Sequence, residues 1–292
     1  MRLFPVAPVL ALMLAACSGP EASAPAATPA SSNPATTPAA PAAAAASLPT
    51  SLTRDETGMH IDCQGTRLHL AALADADAQR AEHCAGAWGF ARAHSDWQGL
   101  IADPRVNLVA ITTPNHLHYP MAMAAIAAGK AVYCEKPLAV SVEQAQQMQQ
   151  AAQAAGVVTR VGYNYQHNPM IVLARELIDS GQLGQLISFQ GEFSEDFMAD
   201  PQSPFSWRCE EQHAGGALAD LGSHLLAMAR FLMGPVQAVC ADVQTVHLQR
   251  PTHAGSQERR HIAVDDQAHA LLRFANGARG TLSSSWIKHG YK

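Results

Sequence analysis

A chain of 292 residues with a formal net charge of −5 carries enough material for one large or two modest hydrophobic cores. Its bases are scattered rather than gathered into a stripe, which excludes a phosphate-tracking nucleic-acid surface. Six cysteines, at 17, 63, 84, 134, 209 and 240, are too widely spaced for a disulfide framework or a zinc site, so no metal is expected.

The chain opens with a short apolar run after Arg2, ending in Leu14-Ala15-Ala16-Cys17. Small residues directly before a cysteine resemble the lipobox of a bacterial lipoprotein, with residues 1–17 as leader and Cys17 as the lipidated residue. That leader predicts a membrane-anchored periplasmic protein; read without it, the chain would be cytoplasmic. Residues 18–58, dominated by Ala and Pro over most of their length, are expected to form an extended tether, because such a composition cannot offset its own ordering entropy. Roughly 230 residues then remain to fold.

In chain order, Leu68 to Ala74 is a short apolar strand ending at Asp75, and a helical stretch follows through Glu82, Cys84 and Trp88. Val106 to Thr112 is a second strand, leading through Pro114-Asn115 into an alanine-rich helix that Gly129 closes. Ala131 to Cys134 is a third strand. Ser141 with Gln144 opens a helix that Gly156 ends, and Val157 to Gly162 is a fourth strand. Strands alternating with helices predict parallel strands joined by crossovers over 59–162.

Beyond Tyr165 the pattern changes. Pro169 to Ile178 is an amphipathic helix, and Ile187, Phe189 and Phe193 alternate as on a half-exposed strand. An apolar helix over Gly216 to Met233 leads to a long strand from Val236 to Leu248. Asn276-Gly277 then joins Ala268–Phe274 to Ala278–Trp286 as a hairpin. Residues 163–292 therefore predict an α+β unit with a largely antiparallel sheet, and the chain stops soon after the hairpin.

Three side chains carry the chemistry. Lys136 follows a buried strand, where open α/β sheets place ligands, and could favour alkoxide character in a substrate hydroxyl; the alternative is a lysine reaching from the strand end to solvent. Asp220 and His224 lie four residues apart on one face of the apolar helix. A histidine near its ordinary pKa could take a proton at neutral pH, with the aspartate orienting it or binding a hydroxyl; a helix cap plus a core histidine is the alternative. Thr113, Asn115 and His118 follow the second strand, where a dinucleotide could cross the sheet edge, although His116 and His118 could equally be a solvated helix start. Asp75 stands where a ribose hydroxyl would be bonded, or simply caps a helix. Asn164, Tyr163, Trp207, Arg208 and His213 could line a polyol or sugar pocket, and Asp265 and Asp266 fit a loop before a strand.

The blocks ITTPNHLHYPMAMAAIAAGKAVYCEKPLAV, VGYNYQHNP, LIDSGQLGQLISFQGEF and GGALADLGSHLLAMARFLMG, in that order, resemble the Gfo/Idh/MocA family of oxidoreductases. The resemblance implies a Rossmann domain followed by an α/β domain that commonly mediates oligomers. It also implies hydride transfer between NAD or NADP and a sugar, polyol or related hydroxy compound. Lys136 would be the family's lysine, His224 the general acid/base and Asp220 its companion. Glu135, Thr113 and Asn115 would border the nicotinamide half of the cofactor, and Asp75 the adenosine ribose.

The residues before His69 depart from the family pattern. Gly58 and Gly65 do not make the Gly-x-Gly-x-x-Gly turn, and SLTRDETGMHIDCQGTRLHL follows no apolar run suited to the central strand. The expected fold is therefore an incomplete Rossmann domain, with the body of the enzyme joined to an unrelated leader. The alternative function is a non-catalytic remnant or a lipid-anchored sugar-binding module without a working dinucleotide site.

Overall fold

The computed structural model describes the backbone of residues 9–14, 50–55, 58–63 and 66–291, with side chains from Leu68 to Tyr291. The first half comprises β1 (Val9–Leu14), β2 (Thr50–Asp55), β3 (Gly58–Cys63), β4 (Thr66–Ala74), α1 (Ala78–Trp88), β5 (Ala93–His94), α2 (Trp97–Ala102), β6 (Leu108–Thr112), α3 (His118–Ala127), β7 (Ala131–Cys134), α4 (Val142–Ala155) and β8 (Thr159–Val161). Its parallel strands lie in the order β5-β4-β1-β6-β7-β8, and the antiparallel β2-β3 hairpin pairs with the start of β4. The chain winds outward from β1 to β4 and β5, then returns across β1 to β6. The reversal falls between β1 and β6, the place where a doubly wound sheet opens a crevice at its carboxyl ends.

Two sequence expectations are corrected here. The central strand judged missing is supplied from within the apolar leader: Val9–Leu14 pairs in parallel with β4 on one side and β6 on the other. An apolar run of six residues satisfies the requirement of a strand buried on both faces as well as it does that of an exported segment. The second correction concerns the tether, whose last residues, from Thr50 onward, enter the β2-β3 hairpin. Cys17 and the Ala/Pro-rich stretch up to residue 49 lie outside the described residues.

The helices follow their sequence signals. Ser141 caps α4 by accepting from the Gln144 amide at 3.3 Å, and Gly156 ends that helix with φ +66°. Asp77 caps α1 through the amides of Gln79 and Arg80. Val109, Ile111, Leu100 and Ala122, all fully buried, join the strands to α2 and α3 in one core. No helix among the described residues is long and apolar enough to cross a membrane.

The second half contains α5 (Pro169–Asp179), β9 (Ser188–Ser194), α6 (Ser223–Met233), β10 (Val236–Gln244), β11 (Gln249–Pro251), β12 (Arg259–His261), β13 (Gln267–Phe274) and β14 (Arg279–Ser285). The main sheet runs β10-β13-β14-β9. It is antiparallel except for the parallel pairing of β14 with β9, so it is mixed at one edge. Leu272, Phe274 and Leu282 pack under α6; Leu271 stands exposed on the other face, and Val239 and Val243, paired with Leu272 and Ala268, are exposed along the edge strand β10.

Behind the sheet, Asp266 is fully buried and accepts from the amides of Val246 and His247 and from Trp286 Nε1, at 2.7–2.8 Å. Arg250, equally buried, lies 3.7 Å from that carboxylate and donates to the carbonyls of Met198 and Asp200. Asp266 is therefore the hub of a buried network rather than a plain loop residue. Asp266→Ala should lower stability by about 3–5 kcal/mol, because it strands a buried guanidinium and three donors. A urea melt with unchanged slope and a lower midpoint would show it; an unmoved midpoint would refute it.

Candidate functional site

The carboxyl end of β7 runs into Glu135-Lys136-Pro137, with a cis bond between Lys136 and Pro137. This turn is held from behind by His118, whose fully buried ring places Nδ1 2.8 Å from the Pro137 carbonyl and Nε2 2.8 Å from the Thr113 carbonyl. Both ring nitrogens are thus engaged with backbone, and His118 braces the ends of β6 and β7. The cofactor contact expected of it is corrected: the imidazole does not reach the surface.

Lys136 turns across to the second half, donating from Nζ to Asp220 Oδ1 at 2.6 Å and to the Asp220 carbonyl at 2.7 Å. Asp220 sits in a π-helical turn, Leu218–Gly222, that runs on into α6. The single α-helix expected over Gly216 to Met233 thus begins with a wider turn, a distortion frequent at functional sites. Its start is fixed by Asp265, which accepts from the Leu218 amide at 2.7 Å. Gly216, at φ +106°, comes so close to this carboxylate that a Cβ would stand 2.3 Å from Asp265 Oδ1. Burial raises the Asp265 pKa.

One turn beyond Asp220, His224 lies among Tyr165, Phe193 and Tyr163, with ring centroids 4.8, 5.9 and 6.1 Å away. Its Nδ1 is buried with no hydrogen-bond partner among the described residues. Desolvation, and then the charge of Lys136, push its pKa down to about 4, against the opposing influence of Asp220. The expectation of a histidine near its ordinary value is therefore corrected. At pH 7 the ring is neutral, able to accept a proton but holding none to give. Lys136→Met should raise the His224 pKa by removing that cation, and the ring-proton NMR titration would detect the shift; an unmoved titration would contradict the assignment.

Lys136, Asp220 and His224 open into one cleft of about 410 Å³, together with Arg208, Tyr165, Phe193, Glu195 and Phe197. Arg208 approaches the other carboxylate oxygen of Asp220 at 3.4 Å, with its guanidinium 4.5 Å over the Trp207 ring. Trp207 lies behind Arg208 rather than in the cleft wall, and Asn164 is exposed outside it. The aromatic neighbour supplied by that segment is Tyr165. Sequence reading missed Tyr165, Phe193, Glu195 and Phe197. One signal could have found Glu195: the alternation through Phe189 and Phe193 continues to it, one residue past the end of β9.

Other predicted residues are placed differently. Asp75 does end β4, but its carboxylate is 1% exposed and bound by Arg80 through Nε at 2.8 Å and Nη2 at 2.6 Å, and by the Asp77 amide. The Arg80 hydrogen bonds hold its pKa below the usual range. Arg80 and Asp77 present the more exposed groups beside it. Asn115 is buried and donates to the carbonyls of His213 and, more distantly, Ala214, at 2.9 and 3.4 Å. Its amide ties the two halves together, and His116 stacks on His213 beside it at 4.2 Å. Thr113 ends its strand with Oγ1 3.5 Å from Met121 Sδ. Glu135 packs its carboxylate against Gly162, where an added Cβ would come within 2.7 Å of Oε1 and the carboxylate would have to shift. Among the described residues no cluster of His, Cys, Asp or Glu could hold a metal ion.

Residues 52–163 match the sequence profile of an oxidoreductase family with an NAD-binding Rossmann fold, and residues 171–292 match that of the GFO/IDH/MocA C-terminal domain. Levoglucosan dehydrogenase of Pseudarthrobacter phenanthrenivorans is 38% identical over 230 residues, covering 75% of this chain and 59% of that protein. The scyllo-inositol 2-dehydrogenase (NADP+) of Bacillus subtilis is 32% identical over 197 residues, covering 64% and 53%. Among solved structures, an NAD-binding oxidoreductase from Klebsiella pneumoniae superposes with a TM-score of 0.73 at 48% identity, covering 77% of this chain and 60% of that one. Levoglucosan dehydrogenase with NADH and L-sorbose does so with 0.75 at 38% identity over the same shares. The chain thus spans 53–60% of the length of these relatives. With both halves matched in order and the Lys136, Asp220 and His224 cleft between them, the chain belongs to the Gfo/Idh/MocA family of oxidoreductases.

Proposed function

We propose that the chain is an NAD(P)-dependent oxidoreductase acting on a hydroxyl of a sugar or polyol. The observation that carries this is the convergence of a cation, a carboxylate and a neutral imidazole on one cleft beside the carboxyl ends of a doubly wound sheet. The sheet order suits a dinucleotide, whose nicotinamide ring, when bound, exchanges a hydride with the substrate carbon. Thr113 and Glu135, at the ends of β6 and β7, border the place for that ring, and Arg80 with Asp77 the adenosine end.

The protein's own part is proton handling. A substrate hydroxyl between Lys136 and His224 meets the ammonium group, which stabilises developing alkoxide charge. His224 takes the proton at Nε2, the nitrogen left open when Nδ1 is buried. A base with a pKa of about 4 is weak. It suffices because departure of hydride makes the hydroxyl strongly acidic, so both transfers proceed together. Asp220 fixes Lys136, and substrate release regenerates the neutral ring once the proton passes to solvent.

Titration with NADH and NADPH, followed by turnover of neutral sugars and polyols read at the nicotinamide absorbance, tests the redox reading. Binding with turnover is the expected result. A folded chain that binds sugars but neither dinucleotide would instead support the sugar-binding alternative, which the absence of a Gly-x-Gly-x-x-Gly sequence after Leu14 favours.

A further inference from the structure

The charges in the cleft are unevenly committed. Lys136 and Arg208 both turn onto Asp220, at 2.6 and 3.4 Å, so neither cation is paired with the cleft's second carboxylate, Glu195. His224 is neutral at pH 7. Glu195 also lines the cleft, half-buried, and its carboxylate makes no hydrogen bond or ion pair among the described residues. Lys288, whose amide donates to the Glu195 carbonyl, has its ammonium group paired with Glu192 and 4.2 Å over the Tyr291 ring.

The Glu195 backbone is fixed on both sides, its amide donating to the Ser285 carbonyl at 2.8 Å and its carbonyl accepting from the Lys288 amide at 3.0 Å. A ligand entering the cleft therefore meets Tyr165, Phe193 and Phe197 together with a carboxylate carried on fixed backbone and without a direct partner among the described residues. Ring faces suit the C–H faces of a sugar. A carboxylate is an acceptor-only group whose two oxygens span adjacent hydroxyls, and it repels a second carboxylate.

We propose that Glu195 determines specificity: it binds neighbouring hydroxyls of an uncharged polyhydroxy ring and rejects carboxylated ones. The inference rests on the proposed redox site only for where the substrate lies. It assigns to Glu195 a role separate from proton transfer.

The test compares the full chain with Glu195→Gln and Glu195→Ala, using D-glucose, levoglucosan and myo-inositol as neutral probes and D-glucuronate and D-galacturonate as acidic ones. Binding is followed by saturation-transfer NMR and calorimetry, so that it is read without turnover. The parent chain should bind at least one neutral probe about tenfold or more tightly than either uronate. Glu195→Gln should shrink that ratio about tenfold with an unchanged melt, because it removes the charge and keeps the shape, and Glu195→Ala should weaken the neutral probe. A parent preference for uronates, a ratio unmoved by Glu195→Gln, or failure of every probe to bind would overturn the proposal. NADH titration of the same samples reads the redox proposal separately: discrimination without dinucleotide binding removes that proposal and leaves this one, and turnover with an unmoved ratio does the reverse.

Discussion

His224→Ala should lower turnover of a sugar or polyol by about 10²–10⁴-fold, the usual contribution of a positioned general base, while NADH affinity stays near that of the parent chain. The asymmetry follows from position: the ring borders the cleft with Lys136 and Asp220, not the carboxyl ends of β4 and β6 where a dinucleotide would lie. The pH dependence is a sharper check. With a folded pKa of about 4, His224 stays unprotonated from neutrality down to that pH, so the oxidation rate of the parent chain should lose no activity to this group until then. A limb near the ordinary histidine value of about 6.5 would contradict the burial that defines the site.

The same shift has a consequence for stability, with a definite sign. Above the unfolded pKa neither state binds the proton and His224 contributes nothing. Between about 6.5 and the folded value of about 4, the unfolded chain binds it and the folded chain does not, so acid destabilises the native state progressively. Replacing His224 by a residue that does not titrate should therefore flatten the fall in melting temperature between pH 7 and pH 4. Melts of parent and variant that decline in parallel would show that the ring is not held neutral.

What the sequence reveals depends on whether a signal is local. The strands β4, β6, β7 and β8 are legible because each is a short apolar or β-branched run closed by Asp, Pro or Gly, and α4 because Ser141 and Gly156 mark both ends. Lys136, Asp220 and His224 stand out as polar groups in apolar settings. The β2-β3 hairpin is hidden because TSLTRD and GMHIDC hold few apolar residues among polar and charged ones, and β11 and β12 are three residues each. The cleft walls are illegible for another reason: Tyr165, Phe193 and Phe197 come from separate segments, and no local pattern says that they face one imidazole. His118 and Asn115 show the converse. Their chemistry suggests a cofactor, and in the structure each side chain is buried against two backbone carbonyls, a bracing role that no local pattern announces. Polarity is written in the sequence, and the partner that consumes it is not.

A chain that begins at Cys17, as lipoprotein processing would leave it, should lose the cooperative melt of its first half and its dinucleotide binding. Removing Val9–Leu14 takes out the strand between β4 and β6, leaving two inner strands with unpaired amides and carbonyls in the middle of the sheet. Amide exchange over Leu108–Thr112 and Thr66–Ala74 should accelerate strongly, while the β13-β14 pairing, which has its own core under α6, should remain protected. If the shortened chain keeps protection over Leu108–Thr112 and still binds NADH, the strand is dispensable and the apolar run is free to serve as a leader. The two uses exclude each other, because cleavage before Cys17 separates Val9–Leu14 from the sheet it completes. The sheet has no other described strand between β4 and β6, so an enzyme that works through this Rossmann half must retain its first six-residue strand.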